Sequence, residues 1–592
     1  MKTFIILSLF SLIPLATAAK NEKINIKKTE KAAQGYFLSQ NYKKALNLYL
    51  ELEPYKENDF NFNFRVGICY LHSSTKNKAI QYLENARKLT KHKYDHPEVN
   101  YYLAIAYHYD YEFVKAINLY KEYKKILDPS DPIEAEEIQH VNLRINQCTN
   151  GQKLVKNPVD AEVTIVNSAI NCPYADFSPF ISINEQTIYF ASQRPSTELG
   201  NKVAQDTDDY YSNIYIADQS EGKWQNAYSM SGEVNSSFHD KPTYATADGT
   251  KLIINRTVNH KTSKILISEL ESGKWSYPKE LGGEINNNSW NSGGCLSPDG
   301  KKLFFASDRQ GGYGGMDIYV SELQNDGTWG KAKNLGPNIN TKYNEEAPFI
   351  HYDGQTLYFV SEGHTSMGGY DIFKSEHIKD KWNTPHNLGY PINSPDDETG
   401  ISWTADGKTG YYSTIREAGY GNEDIMMIKY RDENSIITSL PPLKAGIVEL
   451  KEEVEEATHV IIPSANEVEC KKMDVKIFKA GDYLSEKVHF PFNEYESITE
   501  YSKKRLENVI KVLQENPKLK LNLCGYTDQT GNVVYNKYIS EKRAKTVYNY
   551  LVSQGISPER LKVTSLGCSN PVIDIPSPHV KNRRVEFQII SF

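Results

Sequence analysis

Gly525-Tyr526-Thr527-Asp528-Gln529-Thr530-Gly531 decides how the C-terminal part of this chain is read. The stretch 519–523 before it, with leucine at every second position, predicts a strand that delivers these residues as a loop. Arg543 follows within Ile539-Ser540-Glu541-Lys542-Arg543-Ala544, and Asn582-Arg583-Arg584-Val585-Glu586 stands near the C-terminus. Working outward, residues 488–493 alternate as a strand. Residues 502–516 read as an amphipathic helix with Leu506, Ile510 and Leu513 on one face. Ser540 reads as the N-cap of a second helix that turns Ala544, Val547, Tyr548 and Leu551 toward a sheet. Residues 561–565 and 585–590 supply two more strands, which predicts the order βαβαββ with a mixed sheet.

In this order, the three blocks resemble the OmpA-like (OmpA/MotB/Pal) peptidoglycan-binding domain. That family's pattern is G-H-T-D, then L-S-x-x-R-A, then N-R-R-V, with F-x-F-N in its first strand. Here Tyr526 stands for the His, Ile539 for the Leu, and Pro491 where many members carry Asp; the charged positions are kept. The resemblance implies that Asn493, Asp528, Arg543 and Arg583 contact ligand, with Thr527, Asn536 and Arg584 in support. The implied ligand is the diaminopimelate of peptidoglycan stem peptides, a zwitterion. Such a centre needs a fixed anion and fixed cations on one surface. Asp528 suits the ammonium, and an arginine fork suits the carboxylate. A cap at Ser540 would place Arg543 in a helical first turn, where backbone N–H groups also favour an anion. The competing reading is a structural Asp528–Arg543 salt bridge, and three motif blocks in register favour binding over it. With no nucleophile or metal constellation nearby, the domain is expected to hold the wall without cutting it.

Residues 25–150 repeat. Aligned on Ala45, Ala79 and Ala116, the segments share a small residue twelve positions earlier (Ala33, Gly67, Ala104) and a tyrosine nine earlier (Tyr36, Tyr70, Tyr107). A large residue follows four positions later (Tyr49, Leu83, Tyr120). The series resembles the tetratricopeptide repeat. Small residues let two helices approach and the aromatic fills the gap beside them. A groove for a partner protein is the expected use, with an unliganded helical spacer as the alternative.

Residues 160–430 carry a second repeat. Asp248-Gly249, Asp299-Gly300, Asp353-Gly354 and Asp406-Gly407 recur every 51 to 54 residues, with Asn184-Glu185 as a degenerate first copy. Each turn precedes an apolar strand, a loop, an Asp-Ile strand in the later copies, and in four copies a strand at Trp224, Trp275, Trp329 or Trp382. This pattern predicts propeller blades. The fullest copy, residues 296–309, resembles the PD40 (WD40-like) repeat of TolB-type propellers. The last copy has no Trp strand, while residues 163–171 read like the outer strand and loop 334–340. The N-terminal strand is therefore expected to complete the last blade, giving five blades, with six as the alternative. Asp317, Asp371 and Asp424 recur blade by blade and are read as structural, binding loop backbone or an arginine of the preceding strand. The run Asp206-Thr207-Asp208-Asp209 lacks the spaced ligands of a known calcium loop. His260, His351, His364 and His386 have no ligand spacing, and no hydrolase motif occurs.

The remaining segments bound the whole. Residues 1–18 read as a signal peptide without a lipobox, and 431–484 as a linker or small β module. The net charge of −7 provides no field for a polyanion, so nucleic acid is not an expected partner. Seven cysteines leave at least one unpaired. Cys148 with Cys172, and Cys524 with Cys568, are positioned so that either pair could bridge, free thiols being the alternative.

The expected protein is multidomain: all-α repeats, an all-β propeller and an α/β OmpA-like domain over 485–592. Its expected role is a non-enzymatic periplasmic scaffold without cofactor or metal, bound to peptidoglycan and to outer-membrane or periplasmic proteins. The architecture is similar to OmpA-family proteins that include PorE-type components of type IX secretion. A Tol-Pal-like integrity protein and a propeller-based glycan-processing enzyme are the alternatives.

Overall fold

The computed structural model describes residues 25–90, 96–195, 210–230, 233–259, 262–431, 479–490, 495, 498–528, 533–569 and 580–591. The expected signal peptide, the acidic run 206–209 and most of the linker lie outside the described residues.

Helices pair into hairpins at the front: α1 (Ile26–Leu38) with α2 (Tyr42–Lys56), α3 (Phe60–Leu71) with α4 (Ala79–Leu89), and α5 (Glu98–Tyr109) with α6 (Phe113–Lys124). Helix α7 (Pro132–Lys156) packs on α6. Asn25, Asn41 and Asp59 cap α1, α2 and α3 with their side-chain oxygens. Ala33, Ala45, Ala79, Ala104 and Ala116 are fully buried. At Gly67, a Cβ would stand 2.5 Å from Leu83 Cγ, so that hairpin closes only on glycine. Tyr70 and Tyr107 are buried as expected, but Tyr36 is 37% exposed. Phe37, its neighbour, fills the first hairpin instead and meets Tyr49 edge to face.

Five antiparallel sheets follow, each a blade. Their innermost strands are Asp176–Ile181, His239–Ala245, Asn291–Leu296, Glu345–Ile350 and Glu398–Trp403. The last blade is completed by Ala161–Ile165, which pairs antiparallel with Asp424–Tyr430, so the chain's entry and exit share one sheet. The outer edges are short. Two-residue strands end at Trp224, Trp275 and Trp382, whereas Trp329 makes only an isolated bridge to Leu323.

Two buried ladders repeat around the ring. Asn171, Asn235, Asn286, Asn340 and Asn393 each accept from and donate to the main chain of one isoleucine in a third strand. In three blades, an acid at the first or second residue of the innermost strand forms the other. Arg194 pairs with Asp176 at 2.7 Å, Arg256 with Asp240 at 2.6 Å and Arg416 with Glu398 at 3.2 Å. Of the recurring aspartates, Asp317 accepts from Tyr313 N and Gly314 N, and Asp371 from Met367 N and Gly368 N. They hold loop backbone; the arginines go to the innermost strand.

Around the second position after this acid position, the register slips in every blade. Ser178, Gly293, Ala347 and Gly400 take positive φ there, while Pro242 holds the matching place in blade two. These bulges turn the strands along the axis.

The helices rest on blades four and five. His108 Nε2 donates to Met367 O at 2.8 Å, Asn150 donates to Ser366 O at 3.1 Å, and Lys76 pairs with Asp396. Burial, with Arg144 nearby, pushes His108 down to about 3, so its ring is neutral. Met367 completes the helical core.

At the C-terminal end, strands β1 (Tyr483–His489), β2 (Lys520–Gly525), β3 (Leu561–Ser565) and β4 (Arg584–Ser591) form a sheet in the order β1-β4-β2-β3. Only β2 and β3 are parallel. Helices α8 (Glu500–Glu515) and α9 (Val533–Ser553) cover it, completing βαβαββ. The six cysteines among the described residues are free thiols, so neither candidate disulfide forms. Among the described residues no helix is long and apolar enough to cross a membrane.

Candidate functional site

The site lies where β2 ends and β4 begins. Gly525 closes β2 against α9, where a Cβ would fall 2.0 Å from Ser540 O, so glycine alone allows the helix this close. The next residues are tied down by main chain: Tyr526 N donates to Arg584 O at 2.8 Å, and Thr527 N to Gly567 O at 2.9 Å. Asp528 is thereby presented at a fixed point beside the start of β4.

Two arginines meet at one aromatic residue beside it. Arg583 Nη1 meets Asp528 Oδ2 at 3.1 Å, and its Nε donates to Phe490 O at 3.1 Å. The Arg543 guanidinium lies 5.5 Å from the centroid of the Phe490 ring, and its Nη1 donates to Tyr526 O at 3.3 Å. Phe490 N in turn donates to Arg583 O at 2.9 Å. Sequence alone does not single out Phe490, which opens the F-x-F-N stretch that ends at Asn493. Asn493 itself lies outside the described residues.

Burial makes this cluster electrostatically costly unless it is used or fully bonded. Asp528 is 4% exposed and Arg543 1%. Thr527 is also buried, and its hydroxyl has no hydrogen-bond partner among the described residues. Asn536, in the first turn of α9, is buried close behind.

Arg584 points elsewhere, because successive residues of a strand face opposite sides. Its guanidinium lies 4.0 Å from the centroid of the Tyr526 ring, and its Nε bonds Glu586 at 2.9 Å. Lys487 reaches the same carboxylate at 3.0 Å. Burial acts against the charge on Glu586, but Arg584 and Lys487 outweigh it and hold the carboxyl below its ordinary range. Tyr526, the departure from histidine, is thus a buried platform for Arg584.

Ser540 is not a helix cap. Helix α9 starts at Val533, so Ser540 and Arg543 sit two or more turns inside it. The Ser540 hydroxyl accepts from Gly567 N at 3.0 Å and bonds Ser565 Oγ at 2.8 Å, locking α9 to the segment after β3. Arg543 therefore offers only its side chain, with no helix start beside it.

Residues 489–584 match the model of the OmpA family. The C-terminal domain is an OmpA-family domain. Over this region the chain is 34% identical across 99 residues to the peptidoglycan-associated lipoprotein of Buchnera aphidicola subsp. Baizongia pistaciae, covering 16% of this chain and 57% of that protein. It is 36% identical across 86 residues to the peptidoglycan-binding protein ArfA of Mycobacterium tuberculosis, covering 14% and 26%. The chain thus spans less than two thirds of the length of either relative. A solved TolB from Acinetobacter baumannii is similar at 16% identity and a TM-score of 0.27, over 49% of this chain and 69% of that one. The OmpA domain holds Asp528, Arg543 and Arg583 around Phe490, with Thr527 and Asn536 behind them.

Proposed function

We propose that this protein is a non-enzymatic cell-envelope scaffold whose OmpA domain binds peptidoglycan stem peptides. The observation that carries this reading is the buried grouping of Asp528 with Arg583 and Arg543 on a domain of the OmpA family. One anion and two cations are what a zwitterionic diaminopimelate centre requires: its ammonium goes to Asp528 and its carboxylate to the guanidinium groups. The names of the two relatives, one peptidoglycan-associated and one peptidoglycan-binding, support the same assignment. Arg543 and Arg583, both anchored to Phe490, would meet the ligand with little side-chain ordering left to complete.

In this reading the chain is exported by residues 1–18, and the tetratricopeptide-like hairpins and the propeller hold protein partners. The linker over 431–484 gives the OmpA domain reach. The assembly would tie an outer-membrane complex, such as a type IX secretion complex, to the wall.

The test is sedimentation of the full chain with purified peptidoglycan, beside Asp528→Ala and Arg543→Ala, each checked for folding by circular dichroism. Wild type is expected in the pellet and both folded variants in the supernatant. A soluble wild type, or variants that pellet equally, would end the assignment. Co-purification with outer-membrane proteins tests the scaffold role separately.

A further inference from the structure

The axis of the propeller holds a second charged site. A cavity of about 240 Å³ lies there, lined by the bulged part of all five innermost strands. The residue just before each bulge position lines it, forming a ring of Phe177, Lys241, Ser292, Glu346 and Thr399. In a ring of five, Lys241 of blade two stands across the axis from blades four and five. Those blades supply Glu346, and Thr399 with Glu423.

The carboxylates on that side are already oriented. Tyr370 OH donates to Glu346 Oε1 at 2.9 Å, and Thr399 Oγ1 donates to Glu423 Oε1 at 2.6 Å. Lys241 differs: among the described residues it makes no ion pair within 4.0 Å. Burial pulls its ammonium below the ordinary lysine range, with the more distant Glu346 and Glu423 acting against that.

We propose that the axial cavity binds a small zwitterion of amino-acid or dipeptide size, its carboxylate on Lys241 and its ammonium between Glu346 and Glu423. A ligand with only a positive charge would leave Lys241 half-buried without a counter-charge in contact. One with only a negative charge would face two carboxylates. A metal ion fits poorly, since no group of three His, Cys, Asp or Glu side chains is placed to hold one among the described residues. The volume is below that of drug-sized pockets, which suits a ligand of one or two residues. This site is independent of the one at Asp528.

The experiment is calorimetric titration of the full chain with L-alanyl-L-alanine, its N-acetyl derivative and its C-terminal amide. The free dipeptide is expected to bind one to one. Either blocked form, Lys241→Met, or Glu346→Gln is expected to weaken binding on the order of 30-fold or more. Asp528→Ala is expected to bind as wild type does. Should Lys241→Met fail to fold, the isosteric Glu346→Gln decides. No binding of the free dipeptide, equal binding by a folded axial variant, or loss only in Asp528→Ala would each overturn the proposal. Heat from calcium chloride with none from the dipeptide would overturn it too.

Discussion

Asn171 and Ile425, 254 residues apart, exchange two hydrogen bonds. Ile425 N donates to Asn171 Oδ1 at 2.8 Å, and Asn171 Nδ2 donates to Ile425 O at 3.0 Å. Both partners are buried, so this contact joins the start of the propeller to its last blade in a dry setting. Replacing Asn171 by Ala strands a main-chain donor and removes a side-chain bond to its acceptor. A loss of about 1–3 kcal/mol is expected. Thermal unfolding should show a lower midpoint. Hydrogen exchange should quicken first in residues 161–165 and 424–430, a pattern that Asn286→Ala in a middle blade should not reproduce.

Gly67 packs against Leu83 with no space for a methyl group. Gly67→Ala is expected to cost about 1–3 kcal/mol through overpacking. In the double variant with Leu83→Ala, the added methyl finds room. The two changes should then cost less together than the sum of each alone, as read by chemical denaturation. Simple additivity would mean that the Gly67–Leu83 approach is not what closes the hairpin.

Glu345 is the innermost-strand acid of blade four, and Gly363 stands where other blades carry the arginine that pairs with it. Burial pushes this carboxyl up to about 7 from its ordinary 4.5. The folded protein therefore binds a proton that the unfolded chain has released. Stability is greatest below about pH 4.5 for this group and declines as pH rises to about 7. Glu345→Gln should flatten that part of the stability profile and raise the melting temperature at pH 8. An unchanged profile would show that the carboxyl stays ionised in the fold.

Arg583 and Arg584 are sequence neighbours with opposite tasks. Arg583→Ala should release folded protein from peptidoglycan, since it removes the partner of Asp528. Arg584→Ala should mainly destabilise the domain, by about 1–3 kcal/mol, because Glu586 loses its bond and the Tyr526 ring its cover. Pelleting and melting measured on both variants separate the two roles. Equal pelleting losses at equal stability would contradict the division.

Much of this arrangement is legible in the residues themselves. The Asp-Gly turns recur at blade spacing, and the missing outer strand of the last copy foretells closure by residues near 163. The ladder of asparagines is harder to read, although each directly follows an Ile or Val, because its partner lies in another strand. The arginine partners are ambiguous for the same reason: spacing places Arg194 near both Asp176 and the loop, and only the fold chooses. Ser540 misleads because a serine ahead of an apolar helical face looks like a cap. Packing on β2 and β3 instead extends α9 back to Val533, through a β-branched start that propensity disfavours. Tyr36 fails because, among the described residues, no earlier helix covers that face of the first hairpin. At the site, the resemblance to the OmpA-like motif blocks picks out Asp528, Arg543 and Arg583. Phe490 escapes because its role rests on a ring and a carbonyl, neither of which a charged motif advertises.

The shared last blade also decides how tension would run. Ala161 lies opposite Tyr430, so the chain enters and leaves the ring at the same end of one antiparallel pair. A pull between the helices and the C-terminal domain would load those hydrogen bonds in sequence, like a zipper, because they lie perpendicular to the strands. The pairs from Ala161 to Ile165 would bear it first, while the other four blades stay out of the line of force. The ring would ride beside the tether, and its axial cavity could keep its shape while the envelope strains.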